Sequence, residues 1–163
     1  VSTEEKAKVC RDYGVDDVFI YGDGPKDKDE SKAFAAELKS KSTHGGYSII
    51  YDPIGDCYTE PAFRSIGWKG RYLVVGFAAG QIPKLPINLT LLKGASLVGV
   101  FWGSFTALEA ETNQKNIADI NKMLAEGKIN PLISETFPME KAVDAIQMIG
   151  NRKVMGKVVL TNE

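Results

Sequence analysis

The chain has 163 residues, 44% hydrophobic and 25% charged, and 20 Lys and Arg against 21 Asp and Glu give a formal net charge of -1. That length supports one domain with a sizeable core, in a composition ordinary for a globular protein. The charge balance leaves no basic footprint for nucleic acid or an anionic membrane, and no apolar run nears the roughly 18 residues of a membrane helix.

Ser2-Thr3-Glu4-Glu5 reads as a capping box, with Ser2 accepting from the Glu5 amide and the Glu5 side chain reaching back. Ala7, Val9, Cys10 and Tyr13 then give a helix face that Gly14 closes. Residues 15–21 are predicted as a strand, its apolar part Val18-Phe19-Ile20-Tyr21, before a polar loop, GDGPKDKDE. A helix is expected over residues 31–40, with Phe34, Ala35 and Leu38 on one side.

Ser48-Ile49-Ile50-Tyr51 is a short apolar run cut off by Asp52, Pro53 and Gly55, and Tyr72-Leu73-Val74-Val75 is a second, closed by Gly76. Between them Ala62, Phe63 and Ile66 recur at roughly helical spacing. Strands that read apolar throughout are usually buried on both faces, and two joined by a helix make a βαβ unit of a parallel α/β sheet. Ligands bind beyond the carboxyl ends of such strands, which places the site at Asp52 to Gly55 and Gly76 to Gly80.

Prolines 83 and 86 keep the next segment extended, and Asn88 can cap a short turn ended by Gly94. Residues 96–101 (SLVGVF) read as another buried-type strand. Ile117, Ile120, Met123 and Leu124 stripe a helix over residues 113–126. Residues 129–133 suggest an edge strand because Pro131 interrupts them; a helix over 139–149 and a strand over 157–160 finish the chain. Two unpatterned cysteines, Cys10 and Cys57, point to a reducing compartment, cytoplasmic or mitochondrial. Nothing at the start resembles a signal peptide, but the chain begins at Val1 rather than Met, so an upstream segment is expected.

Three blocks, STEEKAKVCRDYGVDDVFIY, IIYDPIGDCYTEPAFRSIGWKGRYLVVGFAAGQIPKLPINLTLLKGASLVGVFWG and AEGKINPLISETFPMEKAVDAIQMIGNRKVMGKVVL, carry a resemblance that spans nearly the whole chain. In that order they resemble the cofactor-binding half of a medium-chain dehydrogenase/reductase, in its zinc-free NADPH:quinone oxidoreductase branch. The resemblance implies an α/β fold with a Rossmann-like, doubly wound parallel sheet, incomplete here, ending in a helix–strand return. Residues 1–163 would be the nucleotide-binding domain, with residues 128–163 returning toward a catalytic domain. It also implies that the first strand and its glycine-rich phosphate turn precede Val1, since neither G-x-G-x-x-G nor G-x-x-G-x-x-G occurs in the chain. The chain by itself is therefore expected to bind cofactor weakly or not at all.

By the same resemblance Ser2 and Lys6 lie beside the adenosine ribose, Lys6 pairing with the 2′-phosphate of NADPH, and Tyr21 lies near that phosphate. Without it, Ser2 and Lys6 read as well as an N-cap and an exposed helix lysine, and Tyr21 as packing. Asp52, Pro53, Ile54 and Gly55 with Gly76, Phe77 and Ala78 would let ribose and nicotinamide approach the backbone, though Gly and Pro also simply turn a chain. Phe101, Trp102 and Gly103 would lie against the carboxamide, with Trp102 equally readable as interface or core. Arg152 and Lys157 match phosphate or ribose contacts, or are solvated charges.

His44 is the only histidine, and with Cys10 and Cys57 it has no zinc spacing. No G-x-S-x-G appears, so no catalytic acid, base or nucleophile is assigned. The implied activity is hydride transfer from NADPH to a quinone or enone, with hydroxyl donors outside this chain stabilising the developing charge. Two alternatives stand: a non-catalytic assembly subunit, motivated by the missing glycine turn, and an enoyl-thioester reductase. The resemblance further implies a homodimer through the strand from Ser96 to Phe101, which would cover an apolar edge.

Overall fold

The computed structural model describes residues 1–151 and 154–162, which divide into two units, Val1–Trp102 and Gly103–Glu163. In the first, helix α1 (Glu4–Asp12) starts one residue later than the box at Ser2 suggests. Thr3 has the extended backbone of an N-cap, and its side chain accepts from the Lys6 amide at 3.3 Å. Glu5's own amide and the Thr3 hydroxyl hold the Glu5 carboxyl below the usual carboxylate range. Helix α2 (Lys28–Ser40) starts three residues ahead of the expected Ser31, because Asp27 accepts from the Asp29 and Glu30 amides at 2.8 and 2.9 Å.

Residues 15–21 do not form a ladder strand. Their ladder-type backbone bonds go to one residue: the Val1 terminal ammonium donates to the Phe19 carbonyl at 2.8 Å, and the Tyr21 amide to the Val1 carbonyl at 3.0 Å. That is the hydrogen-bond pattern of one parallel bridge; a strand needs a neighbour along its length, which the local sequence does not report.

Strand β1 (Tyr47–Asp52), a 3-10 turn (Asp56–Tyr58), helix α3 (Thr59–Arg64) and strand β2 (Ile66–Val74) form the expected βαβ unit. Helix α4 (Asn88–Lys93) then leads to strand β3 (Ser96–Gly99). The order is β1-β2-β3, all parallel, with Asp52 level with Val74 and Val74 level with Gly99. β2 starts at Ile66, six residues before the apolar run, because Ile66 already pairs with Tyr47. A register shift before Ile49 and a positive φ of 60° at Lys69 absorb the extra residues.

Phe63, Ile66, Tyr72 and Leu89 form the buried core of this unit, and the Phe63 and Tyr72 rings sit 5.5 Å apart. Each such side chain contributes about 1.5–3 kcal/mol on burial. The outer strands are not buried on both faces as their composition suggests: Tyr51 is 65% exposed and Leu97 48%. Among the described residues, β1 and β3 are the edges of this sheet and pair on one side only.

In the second unit, helix α5 (Trp102–Leu108) begins at the boundary and helix α6 (Ala110–Ala125) follows. Strand β4 (Ile133–Pro138), a 3-10 turn (Met139–Lys141), helix α7 (Ala142–Gly150) and strand β5 (Lys157–Thr161) make a second βαβ unit, with β4 and β5 parallel. The strand read over residues 129–133 thus begins only at its last residue. Pro131, with no N–H to give a ladder, stays outside it.

Candidate functional site

Two glycine-bearing turns meet at the carboxyl rim of β1 and β2. The Asp52 carbonyl accepts from the Val75 amide at 2.9 Å and the Gly76 amide at 3.4 Å. The Pro53 and Ile54 carbonyls each accept at 3.0 Å, from the Ala78 and Ala79 amides. Asp52, Pro53, Ile54, Gly55, Gly76, Phe77 and Ala78 therefore form one strapped surface. Gly55 is the tightest point: its φ is 74°, and a Cβ there would lie 2.7 Å from Phe77 Cδ1.

The same rim continues past β3. The Val100 amide donates to the Val74 carbonyl at 2.9 Å, and Phe101 and Trp102 follow at 75% and 57% exposure. Gly103 and Lys157 belong to the second unit, at α5 and the start of β5. Arg152 lies outside the described residues.

Asp52 holds the rim from beneath. Its Oδ1 accepts from the Ile54 and Gly55 amides at 2.8 and 2.9 Å; its Oδ2 accepts from Tyr72 Oη at 2.6 Å and Thr59 Oγ1 at 3.0 Å. Four bonds saturate a carboxylate. Burial first, and the bond to Asp52 second, push the Tyr72 phenol well above the ordinary tyrosine range. Sequence reasoning passed over Tyr72 as an apolar-run residue and did not single out Thr59. The signal was available for Tyr72: a phenol in a strand meant to be buried needs a partner for its O–H.

Ser2, Lys6 and Tyr21 gather at a second point. Lys6 Nζ donates to Ser2 Oγ at 3.2 Å, and the Val1–Tyr21 backbone bond brings Ser2 beside the end of the extended segment. The Tyr21 ring packs 5.0 Å from that of Tyr58, centroid to centroid, and Tyr58 closes the turn after Gly55. A cavity of about 430 Å³ runs along β1 between these two points, lined by Val1, Phe19, Tyr21, Ile50 and Ile54 among others. No Lys or Arg is among its lining residues.

Parallel strands, turns gathered at their carboxyl rim and a cation at the far end define a Rossmann-like α/β domain. The zinc-binding dehydrogenase family matches residues 13–160, and the chain belongs to that family, within the medium-chain dehydrogenase/reductase superfamily. Quinone oxidoreductase-like protein 2 of Bos taurus is 36% identical over 72% of the chain and 34% of its own length. Its counterpart in Mus musculus is 31% identical over 98% of the chain and 43% of its own length. A mycobacterial protein solved in complex with NADPH superposes with a TM-score of 0.81 at 27% identity, over 98% of this chain and 48% of that one. The chain thus spans less than half the length of these relatives. Against the zinc in the family's description, no three His, Cys, Asp or Glu side chains gather as ligands among the described residues. Those residues do not build a zinc site.

Proposed function

We propose that the protein carrying this chain is a zinc-independent, NADPH-dependent reductase of quinones or α,β-unsaturated carbonyls, and that the chain is its cofactor-binding half. The observation that carries this reading is the strapped pair of turns on one rim, joined through Tyr58 and Tyr21 to the Ser2–Lys6 pair. The residues fit a dinucleotide with an extra phosphate. Lys6 spends one ammonium proton on Ser2 and keeps two, and the Ser2 hydroxyl, having accepted from Lys6, still has its own proton to give an anion. At the other end Gly55 and Gly76 bare the backbone to ribose and nicotinamide, with Pro53, Ile54, Phe77 and Ala78 shaping that surface. Phe101, Trp102 and Gly103 serve the carboxamide, while Tyr21, Arg152 and Lys157 serve phosphate or ribose.

When bound, NADPH supplies the hydride. This chain binds and orients the nicotinamide and excludes water; none of its side chains is assigned a proton transfer. In this reading residues 128–163 return toward the catalytic domain. Titration of the complete gene product with both nucleotides tests the reading. A charge-assisted bond contributes about 1.5–3 kcal/mol, so Lys6→Ala should weaken NADPH roughly tenfold to a hundredfold. NADH binding should move less than about threefold, since NADH lacks the 2′-phosphate. Failure of the wild-type protein to bind either nucleotide overturns the assignment.

The protein acts in this reading as a homodimer through the outer edge of β3. That edge has no ladder partner among the described residues, and Leu97 and Val98 stand 48% and 37% exposed beside it. An open apolar strand edge is a template for pairing. Light scattering of the complete protein should give a dimer, and Leu97→Lys a monomer; a monodisperse wild-type monomer would refute the dimer.

A further inference from the structure

We propose that Asp52 serves this site as a positioning residue: its carboxylate fixes the 52–55 turn and, through Tyr72, locks that turn to β2. The inference deepens the cofactor reading above and rests on it. Asp52 was expected in the turn whose backbone ribose and nicotinamide approach, and its side-chain oxygens are already taken up within the fold. A ribose hydroxyl could bond this carboxylate only by displacing one of the four donors. Asp52 therefore reaches the cofactor through the backbone it shapes.

The bonding reaches three elements. Oδ1 draws the Ile54 and Gly55 amides inward, which sets the turn that follows β1. Oδ2 anchors to Thr59 at the start of α3 and to Tyr72 within β2, both side chains buried. The Asp52 carbonyl meanwhile receives the Val75 and Gly76 amides. One residue thus holds the β1 turn, the helix behind it and the β2 turn in register. Held this way, the Ile54 and Gly55 amides face Asp52 rather than the ligand. The 52–55 turn is then a surface for the neutral ribose–nicotinamide end, not a phosphate cradle.

The test uses the complete protein as wild type, Asp52→Ala, Asp52→Asn and Tyr72→Phe. Asn keeps an Oδ1 acceptor for the Ile54 and Gly55 amides, while Ala keeps nothing. Asp52→Ala is expected to raise the KM for NADPH about tenfold or more and to lower kcat, by misplacing the turns. Asp52→Asn should hold KM within about threefold, and Tyr72→Phe should fall between. Hydrogen exchange without nucleotide should quicken in Asp52→Ala over residues 54–56 and 75–79 together, with other segments unchanged. If Asp52→Ala fails to fold, Asp52→Asn and Tyr72→Phe carry the same comparison. A purely structural role would lower the active fraction, and so the apparent kcat, with KM unmoved; that result, or independent exchange of the two segments, overturns the proposal. Absence of NADPH binding by the wild type sinks the cofactor reading instead, which the exchange experiment, needing no nucleotide, keeps separate from the locking of the turns.

Discussion

Gly55→Val should cost the protein roughly 3 kcal/mol of stability, from the sum of a strained backbone and a crowded contact. Gly55 has φ 74° and ψ -147°, a region that L side chains avoid, at a cost of about 1–3 kcal/mol. Space is the second obstacle. A Cβ at Gly55 would lie 2.7 Å from Phe77 Cδ1 and 3.3 Å from Phe77 Cα. The Phe77 ring, 40% exposed, can swing away; its Cα cannot move without dragging the 76–78 turn off its bonds to Asp52 and Pro53. Nucleotide affinity should therefore fall together with stability. Gly76→Ala is the control, since its φ is not positive and its Cβ would sit 3.4 Å from the Pro53 oxygen, an ordinary contact. It should change stability by no more than about 1 kcal/mol. Urea unfolding of both variants checks the contrast, and a Gly55→Val protein as stable as wild type would show that the turns are not packed as described.

Tyr72→Phe should destabilise by about 1–3 kcal/mol, the cost of leaving a half-buried charged acceptor short of a partner. The loss falls on Asp52 Oδ2, which would retain only Thr59. The pH dependence reports the buried phenol, through its burial first and its bond to Asp52 second. Because burial and Asp52 raise the folded-state pKa of the phenol above its ordinary value of 10.0, the unfolded chain gives up this proton first. The contribution of Tyr72 is therefore whole below about pH 10 and is lost as pH climbs above it. Urea midpoints from pH 8 to pH 11 should fall more steeply for wild type than for Tyr72→Phe. Some slope will remain in the variant, since burial also raises Tyr47. Equal slopes would mean that Tyr72 ionises as readily folded as unfolded.

The βαβ unit was legible because its signals are local. Two short apolar runs each end in Gly or Pro, and parallel pairing follows when a helix must return the chain. The same punctuation located the rim: Asp52 to Gly55 and Gly76 to Ala78 are where strands stop. Boundaries were less legible. β2 reached back to Ile66 because a neighbouring strand offered pairing there, and residues 15–21 made no ladder because, among the described residues, only Val1 bonds them in the ladder pattern. Propensity says that a segment favours extension; only a partner makes it a strand.

The sequence by itself determined the class of fold and the turns at the strand ends, since both follow from spacing along the chain; the pairing of Ser2 with Lys6 was implied by the resemblance. Tertiary structure alone decided what Asp52 does. Its partners Thr59 and Tyr72 lie 7 and 20 residues away, and no local pattern records which buried donors will converge on one carboxylate. Tertiary structure also decided that Gly55 must be glycine, because the requirement comes from Phe77 on the other turn as well as from φ. Spacing is a property of the chain, whereas the saturation of a half-buried carboxylate depends on everything folded around it.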